Sequence, residues 1–169
     1  FKVLSGPILV DIGITTRCNL HCPHCYLSST HNGEDITLEN FRYILDQCKQ
    51  AKVLQVALGG GEPTLHPLFG QFLKEIRQAG IVPNLTSNGK KLSWKTVYSL
   101  AKYTGAVALS VEELGDEFEK RRGFPFADFI KSVKKLKAAG VKLVFQIAVS
   151  KGNLSRVRET VNSLMPFKP

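Results

Sequence analysis

The chain has 169 residues, 43% of them hydrophobic, which suits one domain with a core of its own. No apolar run approaches the roughly 20 residues of a membrane span, and we read no signal peptide ahead of the first expected strand. Net charge is +9, which admits an acidic partner such as nucleic acid, a phosphorylated molecule or an acidic peptide. Lys131, Lys134, Lys135 and Lys137, however, fall on the expected wet face of one amphipathic helix, and no aromatic residues interleave with them as a stacking surface requires. Nucleic acid is therefore not favoured. Four cysteines, three of them clustered, fit a reducing, cytoplasmic setting. Phe1 rather than methionine opens the sequence, so a trimmed product, a fragment or the ordered part of a longer chain is expected.

Residues 7–15 are β-rich (Ile8, Leu9, Val10, Ile12, Ile14) and predict a first strand. At its carboxyl end stands Cys18-Asn19-Leu20-His21-Cys22-Pro23-His24-Cys25, three thiols spaced C-x3-C-x2-C, followed by Tyr26. Residues 28–35 form a polar loop. Thr37 reads as the N-cap of a helix whose apolar face is Leu38, Phe41, Ile44, Leu45 and Cys48. Cys48 belongs to that stripe and is expected as a buried core thiol. Residues 53–58 predict strand two, ending in Gly59-Gly60-Gly61-Glu62-Pro63. A helix over 68–79 (Leu68, Phe72, Ile76, Ala79) is stopped by Gly80. Strand three, 81–87, leads into Asn88-Gly89, and a helix over 93–103 turns Trp94, Val97, Leu100 and Ala101 inward. Strand four covers 106–111, a helix closed by Gly140 covers 127–139, and strand five covers 142–149. A last helix over 153–164 carries Leu154, Val157, Val161 and Leu164.

Regular alternation of strand and helix predicts a parallel sheet with helices outside. Such sheets carry chemistry at the carboxyl ends of their strands. The suggestive residues lie there: the cysteine loop, 59–63, Asn88 and Glu112. Side chains alternate faces along a strand. Asp11, Thr15, Ser110, Glu112 and Gln146 share the polar parity, whereas Val10, Ile12, Ile14, Val107, Leu109, Val111, Phe145, Ile147 and Val149 share the apolar one. One face should meet helices and the other line a wet, concave site.

So short a loop can converge three sulfurs on one centre, one fewer than the four cysteines of an ordinary ferredoxin cluster. A structural zinc site with His21 or His24 as fourth ligand is the plainer alternative. A disulfide framework suits this chain less well.

Taken together, C-x3-C-x2-C and Gly60-Gly61-Glu62-Pro63 resemble the radical S-adenosylmethionine (radical SAM) superfamily. The run Ala57-Leu58-Gly59-Gly60-Gly61-Glu62-Pro63-Thr64-Leu65-His66-Pro67 is most like its peptide-modifying maturases. The resemblance implies that residues 1–169 are a radical SAM core domain: a partial (β/α)6 TIM-like barrel, with about five strand–helix units present and the sixth strand missing. It implies that Cys18, Cys22 and Cys25 hold three irons of a four-iron, four-sulfur (4Fe-4S) cluster. The amine and carboxylate of S-adenosyl-L-methionine (SAM) would chelate the fourth.

By the same resemblance Gly60, Gly61 and Glu62 approach SAM, the acid pairing with its amine. Ser110, Glu112 and Gln146 would hold its ribose, carboxylate and adenine, with His24 beside the adenine. Asn88 matches a motif near the site, or is a turn residue with left-handed backbone. Arg121 or Arg122 would meet the SAM carboxylate or stay solvated. Reductive cleavage of SAM would give a 5′-deoxyadenosyl radical that takes hydrogen from the substrate, so no general base is required. The implied partners are a peptide or small-molecule substrate and a low-potential electron donor such as flavodoxin or ferredoxin, with no membrane. Competing readings are a radical SAM enzyme of cofactor biosynthesis or RNA modification, and a zinc- or cluster-stabilised binding module.

Overall fold

A computed structural model describes residues 6–169; Phe1, which suggested trimming, lies outside the described residues. In chain order the elements are β1 (Leu9–Thr15), α1 (Leu38–Gln50), β2 (Gln55–Gly60), α2 (Phe69–Gln78), β3 (Val82–Ser87), α3 (Trp94–Tyr103), β4 (Val107–Ser110), α4 (Gly115–Arg122), α5 (Phe126–Ala138), β5 (Leu143–Gln146) and α6 (Val157–Leu164). The five strands pair in sequence order, every neighbour parallel, in one open sheet. This is the expected partial-barrel arrangement, and each strand is followed by at least one helix. Among the described residues no helix is long and apolar enough to cross a membrane.

Local signals fix the helices. Thr37 Oγ1 accepts from the Asn40 N–H at 3.1 Å and caps α1. Gly80 (φ +78°) and Gly140 (φ +75°) take the left-handed conformation that ends α2 and α5. The apolar strand parity (Ile12, Ile14, Val56, Leu58, Leu85, Val107, Leu109) is buried against Phe41, Phe72, Leu73, Ile76, Leu100, Phe129 and Leu136 from the helices. Phe41 and Phe72 stack with ring centroids 3.9 Å apart. Cys48 joins this core at 5% exposure, as its stripe requires.

The opposite face carries Asp11, Gln55, Asn84, Thr86, Ser110 and Gln146, none of them buried. Asn84 Nδ2 donates to Gln55 Oε1 at 2.9 Å. Thr86 Oγ1 donates to Gln146 Oε1 at 3.1 Å. Thr15 departs from its expected parity. The β1–β2 register slips between Gly13 and Thr15, and Thr15 is buried with Oγ1 donating to Asp35 Oδ1 at 2.6 Å.

Four other expectations are corrected. Strand five ends at Gln146 rather than 149, and Val149 is exposed. The reason is Asn153. Its Oδ1 accepts from the Ser150 N–H at 2.7 Å, and its Nδ2 donates to Ala148 O at 2.9 Å. Those backbone groups are thereby taken from any longer strand. Trp94, expected inward, is 53% exposed at the start of α3, with Lys135 Nζ 5.0 Å from its ring centroid. The final helix begins with a 3-10 turn over Leu154–Arg156, which rotates its face. Leu164 is buried as expected, but Leu154 and Val161 are exposed and Thr160 is buried in their place. Lastly, α4 was not expected: in Gly115–Arg122 only Phe118 is apolar, and it is held by Phe124, Phe126 and Phe129 rather than by any periodic stripe.

Candidate functional site

The cysteine loop leaves β1 over the carboxyl edge of the sheet, and its base is clamped. Arg17 donates to both oxygens of Asp35 at 3.0 and 2.6 Å and to Leu65 O at 3.0 Å. The Cys18 N–H donates to Thr30 O at 2.8 Å. Further on, the Cys25 N–H donates to Cys22 O at 3.0 Å and the Ser28 N–H to Cys25 O at 3.2 Å, with Ser28 at φ +48°. All four cysteines are free thiols. Burial pushes the Cys18 and Cys22 thiols up, against a backbone bond at Cys18 and the Arg122 charge at Cys22. Burial acts the same way on Cys25. There the backbone N–H groups of Ser29 and Leu27, the Ser29 hydroxyl and the Ser28 N–H outweigh it and hold the thiol below the ordinary cysteine value.

Among the described residues no group of three or more His, Cys, Asp or Glu is gathered to hold a metal ion. The two histidines of the zinc alternative have other neighbours. His21 packs edge-on against His31 with centroids 5.7 Å apart, and His24 Nε2 faces Glu112 Oε1 at 3.6 Å.

The glycine segment lies against the base of this loop. Gly60 has φ +113°, and a Cβ there would meet Thr15 O at 2.1 Å; one on Gly61 would meet Arg17 O at 2.1 Å. Bonds Gly61 N–H to Thr15 O (2.7 Å) and Glu62 N–H to Arg17 O (2.8 Å) seal the contact. Open backbone is offered instead by Gly59, which has nothing within 4 Å of an added Cβ and pairs in register with Gly13. The sequence marks Gly59 only as part of the 59–63 segment and gives Gly13 no role, although the polar parity of Gly13 was a signal available.

Glu62 is 1% exposed. Its Oε1 accepts from the Thr64 N–H (3.3 Å), the Thr64 hydroxyl (2.6 Å) and the Ser87 hydroxyl (2.9 Å), and its Oε2 from the Asn88 N–H (2.8 Å). Burial pushes this carboxyl up, and those four donors oppose it. Ser87, also passed over, is thus part of the join between β2 and β3. Asn88 Nδ2 donates to Asn19 Oδ1 at 2.8 Å and lies 3.8 Å from Cys18 Sγ. The left-handed residue is its neighbour Gly89 (φ +75°), so Asn88 serves as a tie to the cysteine loop.

Helix α4 delivers Arg122 to the same place. Its Nε donates to Glu112 Oε2 at 2.8 Å, its Nη2 donates to Glu112 Oε1, and its Nη1 lies 3.6 Å from Cys22 Sγ. Both side chains are buried, so Arg122 is no solvated charge. Arg121 reaches Glu113 at 3.4 Å. Burial favours the neutral form of His24, Glu112 opposes this, and Arg122 and Arg121 reinforce it; the net shift is downward. Ser110 and Gln146 pair in register at the ends of β4 and β5.

Glu113 is held below the ordinary carboxylate range by two bonds from Arg156, each 2.8 Å, despite its burial. Asp35 is likewise held low: burial acts upward, and bonds from Thr15 and Arg17 outweigh it. A carboxylate depressed in the folded state adds stability above its unfolded value, and that stability is lost as pH falls through the folded one. Urea denaturation should therefore show stability declining as pH drops below about 4.5, the ordinary carboxylate range. Arg156→Met should flatten part of that acid limb. An unchanged limb would show that the Glu113 pair does not persist in solution.

Fold and site together define a parallel α/β protein whose first strand leads into a three-thiol loop tied to buried Glu62 and Arg122. The chain belongs to the Radical SAM superfamily, whose family model matches residues 12–164. It is 28% identical over 166 residues to the PqqA peptide cyclase of Streptomyces rochei, covering 94% of this chain and 45% of that protein. Against the antilisterial bacteriocin subtilosin biosynthesis protein AlbA of Bacillus subtilis it is 25% identical over 160 residues, covering 90% and 36%. Streptococcus suis SuiB, solved bound to S-adenosylmethionine, superposes with TM-score 0.83 at 27% identity, covering 97% of this chain and 39% of that one. Peptide-modifying members are thus among the relatives, as the sequence suggested. The chain spans less than half the length of each of these three proteins.

Proposed function

We propose that residues 1–169 are the radical SAM core of an enzyme that acts on a peptide or protein, with Cys18, Cys22 and Cys25 holding a 4Fe-4S cluster. The observation that carries this is the single sheet edge at which the loop of three free thiols is held, with Asn88 bonded to Glu62 and Asn19 and lying beside the Cys18 sulfur, and Arg122 bonded to Glu112 and lying beside the Cys22 sulfur. The donor set fits such a cluster. Three thiolates concentrate negative charge, and Asn88 Nδ2, Arg122 Nη1 and the amides of the 27–29 turn supply compensating N–H groups.

When bound, the cluster supplies one electron to SAM, whose reductive cleavage yields the radical that takes hydrogen from the substrate. The chain's own residues position and exclude. Glu62 Oε2 carries one donor in place of the three on Oε1, which leaves an acceptor for the SAM amine. Gly60 and Gly61 lock that acid against the cysteine loop. Glu112, with both oxygens taken by Arg122, orients Arg122 toward the SAM carboxylate and His24 toward the adenine. Ser110 and Gln146, on the concave face, meet the ribose and adenine. SuiB has been solved bound to precursor peptide SuiA, and the likeness to a PqqA peptide cyclase supports a peptide substrate. A low-potential donor, flavodoxin or ferredoxin, and a cytoplasmic setting complete the proposal.

Anaerobic iron–sulfur reconstitution followed by EPR of the reduced protein, with and without SAM, tests it. About four irons per chain and a spectrum altered by SAM are expected. Zinc in place of iron, or a cluster indifferent to SAM, would overturn the reading.

A further inference from the structure

Helix α3 carries the chain's only tryptophan, Trp94, and one turn further on Tyr98, which is 67% exposed. The two ring centroids are 5.9 Å apart, as the i, i+4 spacing on a helix face allows. Both rings stand largely in water, and the one nearer the helix start is held there. Lys135 of α5 donates from Nζ to Leu92 O at 2.8 Å, with that ammonium over the Trp94 ring. The helix start is itself fixed, since Ser93 Oγ accepts from the Thr96 N–H at 3.0 Å. Lys95 and Lys102 interleave with the rings along α3, and Lys91 stands just before it, all three exposed. The charge here is one-sided. No Asp or Glu occurs between Glu75 and Glu112. Among the described residues Lys91, Lys95, Lys102 and Lys135 enter no ion pair. Lys49, Lys120 and Lys131, on other helices, each have a carboxylate one turn away.

We propose that this face of α3 docks an acidic segment of a polypeptide partner. Apolar side chains of that segment cover Trp94 and Tyr98, and its carboxylates meet Lys91, Lys95 and Lys102. Tryptophan and tyrosine are enriched among the residues that dominate binding energy. Cations without partners around them select an acid and speed its approach. Lys135, already bonded to Leu92 O, holds the indole in place for the contact. Single-stranded nucleic acid also takes alternating aromatics and cations, but along a positively charged groove that tracks its backbone. The outer face of a single helix is convex and offers no such track. α3 contributes no side chain to the cysteine-loop site, so the assignment does not rest on the cluster reading above.

Because Trp94 is the only tryptophan, its fluorescence reports on this face alone. The full chain is titrated at low salt with a tryptophan-free glutamate–leucine peptide, and separately with oligodeoxythymidylate of equal charge. The peptide should shift Trp94 emission to the blue as the ring is covered, with a dissociation constant that rises with salt. Lys95→Glu should weaken peptide binding roughly tenfold, and Tyr98→Ala should do about the same. Lys95→Glu puts an acid in the first turn of α3, where the helix dipole favours it, so that variant should fold. Lys151→Glu makes the same change of net charge on the exposed loop beyond β5 and should weaken binding less than about twofold. An unchanged Trp94 emission would overturn the assignment. So would equal weakening by the two charge reversals, which would reduce the effect to net charge. Tighter binding of the oligonucleotide than of the peptide would overturn it in favour of nucleic acid.

Discussion

Cys22→Ala should leave the reconstituted protein without its cluster, whereas Cys48→Ala should keep the wild-type iron content, expected at about four per chain. The two thiols differ in everything that matters to a ligand. Cys22 sits half-buried in the loop that also presents Cys18 and Cys25, and an Arg122 N–H lies 3.6 Å from its sulfur. On the proposed ligand set its removal takes one of three thiolates, and two should not hold a cluster that already lacks a fourth. Cys48 lies in α1 among core residues, and burial raises its thiol. Its loss removes one core sulfur and should cost roughly 1 kcal/mol as a small cavity. Iron, labile sulfide and the visible absorption band are measured after anaerobic reconstitution, beside a circular dichroism melt. Equal iron loss in the two variants would make Cys48 a ligand and redraw the site.

The burial of Cys48 was legible in the residues, and so was most of the frame. A 3.6-residue stripe placed Cys48 in the core, and strand–helix alternation ordered five parallel strands without any long-range information. The losses have physical causes. Helix α4 escaped notice because its single apolar residue, Phe118, is held by an aromatic cluster assembled from outside the helix. With α4 went the buried state of Arg122, since a run of Glu, Lys and Arg reads as solvated until its partner Glu112 is brought across from the end of β4. Strand five was read too long because Asn153 competes for backbone groups from beyond the strand. The glycines show the subtlest loss. Their motif was plain, but which of them face backbone and which face open space depends on the slip in register between Gly13 and Thr15.

Arg122→Ala should destabilise the folded protein by about 3–5 kcal/mol, the range for breaking one partner of a buried ion pair. The Glu112 carboxylate is 3% exposed and takes two of its hydrogen bonds from this guanidinium. Alanine would leave that charge in the interior with His24 Nε2, 3.6 Å away, as the nearest positive candidate. His24 is itself held toward its neutral form by burial, so it compensates poorly near neutral pH. The sign of the rescue follows from the same physics. Replacing both partners with apolar groups of similar size, as in Glu112→Leu with Arg122→Met, removes the uncompensated charge and should recover most of the loss. Urea denaturation of the two single variants and the double closes the cycle. A loss under about 1 kcal/mol in Arg122→Ala would mean that water reaches the pair and that it behaves as a surface bridge. The recovered double variant then separates stability from function. It folds, but Cys22 loses its side-chain donor and the proposed SAM carboxylate loses its cation. Its reduced EPR spectrum should therefore respond to SAM only at concentrations well above those the wild-type protein needs. A double variant that is both stable and fully responsive would show that the pair holds α4 on the sheet and does nothing more.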